Sequence, residues 1–88
     1  MKRNAGLAWR VEVTRAAEKQ LASLGTTEAR RIVSFLRTRV SGNPRAEGKA
    51  LSGPLGDLSR YRVGDYRIVC ELRDDVLTVL MIRIAHRR

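Results

Sequence analysis

The sequence predicts an α+β domain in which a helical hairpin packs on a small, mostly antiparallel sheet, with the element order β-α-α-β-β-β. Apolar and polar residues alternate over residues 8–13 and around the turn at Gly64, which is typical of half-buried strands. Between these stretches apolar residues recur every three or four positions, which is typical of amphipathic helices. The 88 residues suffice for one modest hydrophobic core. We therefore expect residues 1–88 to form a single domain with a shallow working surface.

The first strand and the first helix follow each other directly. Residues 8–13 (AWRVEV) alternate, so Trp9 and the two valines share one face of a strand and point to the core. Thr14 can cap a helix with its side chain, and Gly25 can end it. Apolar residues between them recur at i, i+4 and i+7, which predicts a short helix over residues 15–24.

A second helix completes the hairpin. Thr26 and Thr27 can cap it, and Glu28 places a negative charge in its first turn, which complements the helix dipole. An apolar stripe marks its core side, and its arginines fall outside that stripe, as on a solvated face. The breaker SGNP at residues 41–44 ends the helix, and a loop is expected from there through Gly56.

The remainder of the chain predicts three strands with short connections. Their expected ranges are about residues 58–63, 66–73 and 76–85. Gly64 and Asp65 form the first turn, and Asp74 and Asp75 lie in the second.

The charge balance favours a polyanionic partner. The chain has 18 Lys and Arg residues against 9 Asp and Glu residues, a formal charge of +9. The alternative is that the basic residues only keep a small domain soluble. Cys70 is the only cysteine and lies in an apolar run, so a buried thiol in a reducing cytoplasm is expected. No apolar run is long enough to span a membrane, and we expect no membrane partner.

The turn at Gly64 and Asp65 predicts a cationic sheet face. In a two-residue hairpin loop, the pairs Val63–Tyr66 and Arg62–Arg67 lie opposite each other. The core side then carries Tyr61, Val63, Tyr66, Ile68, Cys70 and Leu72. The other side carries Arg60, Arg62, Arg67 and Val69. Because like charges directly opposite on a sheet destabilise it, the arrangement indicates an anion site.

The last strand is apolar on both sides, so its register stays open. Arg83 and Arg87 have the same parity, and a connection one residue longer than a two-residue turn would bring Arg83 beside Arg67. Val69, Val79 and Met81 could then form an apolar floor to the basic face, or be covered by a partner protein.

Arginines without a metal can serve phosphate chemistry on RNA. The sequence shows neither spaced metal ligands nor a Gly-rich phosphate loop, so no metal and no cofactor are expected. RNA supplies its own nucleophile in the 2′-hydroxyl, and guanidinium groups can stabilise the pentacoordinate phosphate. His86 is the candidate acid or base, because an imidazole changes charge near neutral pH, although its strand parity opposes that of Arg87.

Two stretches, KALSGPLGDLSRYRVGDYRIVCEL and VLMIRIAHRR, resemble the RelE/ParE toxin superfamily of bacterial type II toxin–antitoxin systems. Within them, R-Y-R-V-G-D-Y-R-I-V and I-R-I-A-H-R-R look like the RelE branch. The resemblance covers nearly the whole chain. It implies the RelE-like microbial RNase fold and a ribosome-dependent, metal-independent endoribonuclease that cleaves mRNA in the ribosomal A site and inhibits translation.

The resemblance also implies roles for individual residues. Arg67 and Arg87 would stabilise the scissile phosphate, while Arg60 and Arg62 would position RNA or help to withdraw a proton. Further contacts to RNA are expected from Arg45, Lys49, Arg83 and Arg88. The implied partners are the ribosome with its mRNA and a cognate antitoxin, with which the chain would form a heterotetramer in the cytoplasm.

The sequence departs from its relatives in two ways. Well-studied RelE-type enzymes have lysines where this chain has Arg60 and Arg62, and an arginine is a poor general base. Relatives also usually continue past the H-R-R with several residues, including a tyrosine with a direct role in cleavage, whereas this sequence stops at Arg88. The general base is therefore unassigned from the sequence.

Two other functions are also compatible with the sequence. A ParE-like toxin would inhibit DNA gyrase without nuclease activity and would share the fold. A plain nucleic-acid-binding module would use the same basic face without chemistry. The repulsive arginine arrangement favours phosphate recognition over a gyrase contact.

Overall fold

A computed structural model describes residues 8–51 and 57–86 of the chain. Within these ranges the strands are β1 (Arg10–Val13), β2 (Lys49–Leu51), β3 (Leu58–Val63), β4 (Tyr66–Arg73) and β5 (Thr78–His86). The helices are α1 (Arg15–Leu24), α2 (Thr26–Phe35) and α3 (Pro44–Glu47). A π-helical turn (Leu36–Val40) extends α2, and a 3-10 turn (Asp74–Val76) precedes β5. No helix within the described ranges is both long and apolar enough to cross a membrane.

The described strands form one sheet in the order β1-β5-β4-β3-β2. β1 runs parallel to β5, and the other neighbouring pairs are antiparallel. The α1 helix packs against β5 and α2 packs against β3. The predicted fold class, a helical hairpin on a small and mostly antiparallel sheet, is confirmed.

The helical hairpin begins as predicted but is capped differently at its second helix. Thr14 Oγ1 accepts a hydrogen bond from the backbone N–H of Ala17 at 3.1 Å and so caps α1. Gly25 ends α1 with a φ of 93°. The expected capping role of Thr26 and Thr27 is wrong. Gly25 itself occupies the cap position of α2, and no side chain there bonds to the helix.

The loop expected after the breaker contains two short elements. Pro44 begins α3, where its missing N–H and fixed φ suit the first helical position. β2 then pairs with β3, with Lys49 opposite Arg60. Neither element shows a usable periodicity in sequence, because each has fewer than five residues and gains its stability from neighbouring elements.

The core lies between the helices and one face of the sheet. The predicted core residues of β3 and β4 are buried there, apart from Tyr66, which is partly buried against the same cluster. Ala17, Leu21, Ile32, Leu36 and Val40 meet them from the helical side. Trp9, Val11 and Val13 also pack against it, as expected.

A β-bulge in β5 changes which side chains of that strand are buried. The register runs Val69 to Arg83 and then Cys70 to Met81, so Ile82 is an extra residue in the ladder. Thr14 binds this bulge, because its N–H donates to Met81 O at 3.0 Å and its hydroxyl donates to Ile82 O at 3.3 Å. Alternation along β5 therefore reverses at the bulge.

The bulge corrects two expectations about the last strand. Val79 and Met81 are fully buried in the core and form no floor to the basic face. Arg67 lies opposite Ala85 and not opposite Arg83. Parity alone could not reveal this, because one extra residue moves every later side chain to the other face.

Thr14 stabilises both α1 and the bulge, so its replacement should weaken the fold. Thr14→Ala removes the cap and the contact with Ile82, and we expect it to lower the free energy of unfolding by about 1 kcal/mol. Urea denaturation followed by circular dichroism measures this. Thr26→Ala is the matched control, and it should lose nothing because Thr26 makes no capping bond. Equal losses in both variants would contradict the assignment.

Candidate functional site

The sheet face opposite the helices carries an open depression of about 420 Å³. Its lining residues are Glu47, Gly48, Lys49, Arg60, Tyr61, Arg62 and Arg67. We refer to Lys49, Arg60, Arg62 and Arg67 as the basic cluster. The side chains of Lys49, Arg62 and Arg67 lie at exposed positions and Arg60 is half-buried. The depression is shallow and cationic, as a surface for an extended anion should be.

Sheet register brings the basic cluster together in two opposed pairs. Lys49 lies opposite Arg60, and Arg62 lies opposite Arg67. Side chains directly opposite on antiparallel strands have Cβ atoms only about 5 Å apart, so each pair is repulsive. The predicted grouping of Arg60, Arg62 and Arg67 on one face is confirmed, and the structure adds Lys49 to it.

Arg83 joins the same face at its far side. It is exposed and lies opposite Val69, which in turn lies opposite Arg60. Lys49, Arg60, Val69 and Arg83 thus form one row across four strands. Arg83 borders the basic cluster without facing Arg67.

Arg45, expected to contact RNA, lies away from the basic cluster. Its guanidinium forms a two-point fork with the Asp74 carboxylate, with both N···O distances at 2.9 Å. A weaker contact at 3.5 Å joins it to Asp57. The hydrogen bond raises the pKa of Arg45 and lowers that of Asp74. Arg45 thereby ties α3 to the turn before β5.

His86 is not brought to the basic cluster either. It lies opposite Tyr66 at the end of β5, and the two rings meet edge to face with centroids 5.0 Å apart. Tyr66 belongs to the side of the sheet that carries the core, so His86 points away from the arginines. Arg87 and Arg88, the other expected site residues, lie outside the described residues.

Glu47 is a site residue that the sequence did not single out. It ends α3 and lines the depression, and its Oε1 lies 3.7 Å from Nη2 of Arg39. The sequence offers only a local signal for the short helix that carries Glu47: Pro44 marks a helix start, and Gly48 follows the glutamate. That signal gives no direction for the side chain, which depends on how α3 docks on β3.

Gly48 and Tyr61 fix the position of Glu47 and Lys49. A Cβ on Gly48 would lie 2.5 Å from Cε1 of Tyr61 and 2.8 Å from Oγ of Ser59, so the backbone rests directly on the buried ring. The Tyr61 hydroxyl donates a hydrogen bond to Pro44 O at 2.7 Å. Burial raises the pKa of Tyr61 and keeps its hydroxyl in this donor role.

Other side chains with possible chemistry lie apart from the depression. Cys70 is fully buried on the core side, and burial raises the pKa of its thiol to about 12. A neutral thiol of this kind is a poor nucleophile. Within residues 8–51 and 57–86, His, Cys, Asp and Glu side chains form no group of three that could hold a metal ion.

Sequence comparison finds relatives of this chain among the toxins of type II toxin–antitoxin systems. Residues 11–88 match the family described as the ParE toxin of the type II toxin–antitoxin system parDE. The chain is also 34% identical over 79 residues to the toxin RelE of Mycobacterium tuberculosis, an alignment covering 90% of this chain and 81% of that protein.

Solved structures show the same fold. The toxin–antitoxin complex RelBE2 from Mycobacterium tuberculosis contains a chain with a TM-score of 0.82 and 29% identity, covering 91% of this chain and 99% of that one. The archaeal RelE–RelB complex from Pyrococcus horikoshii gives a TM-score of 0.68 and 28% identity, covering 91% and 96% of the two chains.

The opposed arginines should make the fold less stable than it could be. Arg67→Gln removes the repulsion with Arg62, and we expect it to raise the free energy of unfolding by roughly 0.5 kcal/mol. The gain should shrink at high salt, which screens exposed charges. Arg73→Gln is the matched control, since Arg73 lies on the same strand opposite Thr78 and near Glu71. No gain in Arg67→Gln, or an equal gain in Arg73→Gln, would refute the repulsion.

The contact of Gly48 with Tyr61 should tolerate no side chain. We expect Gly48→Ala to lower the free energy of unfolding by about 1–3 kcal/mol, because α3 and β2 must shift to avoid the clash. Thermal denaturation measures the loss. Gly42→Ala is the control, because a Cβ at Gly42 would meet no atom within 4 Å. Wild-type stability of the Gly48 variant would show that the segment is not held by this contact.

Proposed function

This chain belongs to the RelE/ParE superfamily of type II toxin–antitoxin toxins, and on that premise we propose that it is a ribosome-dependent endoribonuclease. It cleaves mRNA in the ribosomal A site and thereby inhibits translation. The observation that carries the proposal is the pair Arg62 and Arg67, opposed within the basic cluster on an open sheet face. A bound phosphate between them relieves their repulsion and accepts a hydrogen bond from each guanidinium.

The proposed reaction uses the substrate's own nucleophile. A base removes the proton of the 2′-hydroxyl, and the 2′-oxygen bonds to the adjacent phosphorus. The bond from phosphorus to the 5′-oxygen breaks, and that oxygen takes up a proton as the 5′-hydroxyl of the released fragment. The first fragment ends in a 2′,3′-cyclic phosphate. Charge builds up on the phosphate oxygens in the transition state, where fixed guanidinium groups stabilise it most.

We assign the arginines to phosphate binding and Glu47 to proton removal. Arg62 and Arg67 hold the scissile phosphate, together with Arg87 by resemblance to the family, while Lys49 and Arg60 hold the neighbouring backbone. Glu47 contributes the one carboxylate among the residues that line the depression. A carboxylate beside the reacting group can accept the proton, which an arginine cannot do.

The relatives in solved complexes pair with antitoxins, and we propose a cognate antitoxin for this chain as well. Its segment over the basic cluster would be acidic or amphipathic, since the cluster favours anions. The assembly would be a heterotetramer in the cytoplasm. Ribosome and mRNA are the other partners of the proposed reaction.

The proposal is tested with purified ribosomes programmed with a defined mRNA. We expect cleavage in the A-site codon, mapped by primer extension, and a loss of at least about a hundredfold in rate for Arg67→Gln and Glu47→Gln. Arg37→Gln should cleave like the wild type, because Arg37 is an exposed residue of the helical layer. Uncut mRNA with the wild-type chain would refute the activity.

The ParE-like alternative is favoured by the matched family description and is tested in parallel. Inhibition of DNA gyrase in a supercoiling assay, with mRNA left intact, would establish that alternative. Variants Arg60→Ala and Arg67→Gln that still bind RNA but no longer cleave it would exclude a binding module without chemistry. Each assay uses the same protein preparation, so a misfolded sample affects all of them equally.

A further inference from the structure

A second hollow lies on the same sheet face, beside the basic cluster. It has a volume of about 340 Å³ and is lined by Leu58, Val69, Glu71, Ile82 and Arg83. Leu58, Val69 and Ile82 make its floor apolar, in contrast to the basic cluster. Glu71 supplies a single carboxylate, and Arg83 stands at its edge as an exposed guanidinium.

Sheet register joins this hollow to the basic cluster. Val69 lies opposite Arg60 on one side and opposite Arg83 on the other. Along β4, Arg67, Val69 and Glu71 point to the same face at intervals of about 6.8 Å, two residues of an antiparallel strand. A phosphate held at Arg67 therefore leaves the attached nucleotide within reach of Val69.

The bulge in β5 determines which side chains of that strand line the hollow. Ile82 is the extra residue there, and it is half-exposed while its neighbour Met81 is buried. Without the bulge Arg83 would share the face of the buried Met81 and point to the core, so its guanidinium would not lie on this face. The bulge thus places Ile82 and Arg83 side by side in the lining of this hollow.

These contacts suit a flat heterocycle better than another phosphate. Apolar side chains contact the faces of a base, and an arginine guanidinium stacks on an unpaired base in RNA complexes. A carboxylate accepts hydrogen bonds from the amino group of cytosine. Uracil has a carbonyl oxygen in that place, and an oxygen facing Glu71 would be repelled.

We infer that this hollow binds one unstacked base of the RNA and prefers a base with an exocyclic amino group over uracil. The inference rests on the proposed RNA substrate, and it adds a determinant of base preference to the cleavage site. Glu71 is the residue that discriminates. Its Oε2 lies 3.5 Å from Nε of Arg73, an ion pair that holds the carboxylate on this strand.

Binding of short oligonucleotides tests the inference without any cleavage step. Hexacytidylate and hexauridylate, each with a fluorescein label, are titrated with the wild-type chain, and Kd is measured by fluorescence anisotropy at fixed salt. We expect hexacytidylate to bind about fivefold more tightly, the effect of one net hydrogen bond. Glu71→Gln should reduce the ratio to less than about twofold, because an amide can donate to the uracil carbonyl as well.

Glu12→Gln is a closely matched control. Glu12 lies in the same row of the sheet, since Glu71 and Glu12 both face Leu80, and it also pairs with an arginine two residues away, Arg10. This variant should keep the wild-type preference. A wild-type ratio near one, or a ratio that Glu71→Gln leaves unchanged, overturns the base site while cleavage on ribosomes can still be observed.

Two further outcomes separate this inference from the proposed function. If neither oligonucleotide binds, the inference fails. If both bind with the expected ratio and mRNA on ribosomes stays intact, the base site stands and the nuclease proposal fails.

Discussion

The two-residue turn at Gly64 and Asp65 is the constraint on which the rest of the site depends. Gly64 adopts a φ of +59°, a left-handed conformation that glycine reaches without strain. This turn fixes the register of β3 and β4, and the register decides that Tyr61 and Ile68 are core while Arg62 faces Arg67. A slip of one residue would bury the arginines and expose the core. Folding energy from the apolar face therefore holds the cationic face together against its own repulsion.

The parts of the fold that the sequence predicts are those set by local chemistry. The β3–β4 hairpin follows from its turn, and α1 follows from Thr14, Gly25 and an apolar stripe between them. β2 and the bulge at Ile82 do not follow, because both depend on contacts with distant segments. Thr14 lies 68 residues from Ile82 in the chain, and no periodicity in β5 reports their contact.

The same distinction applies to the candidate site. Arg60, Arg62 and Arg67 could be grouped from alternation on neighbouring strands. The position of Arg45 apart from the basic cluster could not be predicted, because its two hydrogen bonds to Asp74 join residues 29 positions apart in the chain. The place of Glu47 in the lining of the depression could not be predicted either, because it depends on Gly48 lying against the ring of Tyr61. His86 shows the reverse case, where a residue type with suitable chemistry lies on the wrong face.

The repulsion within the basic cluster favours binding of both proposed ligands, the RNA substrate and the antitoxin. Any anion placed between Arg62 and Arg67 recovers the energy lost to their opposition, whether it is an RNA phosphate or a carboxylate of a partner. One anion between the two arginines excludes another, so the proposed acidic antitoxin segment would inhibit the proposed cleavage by competing with RNA for the basic cluster. Salt weakens both contacts, but RNA more strongly, because each bound phosphate also releases condensed counterions. On the proposed function, rising salt therefore shifts the competition for the basic cluster towards the antitoxin.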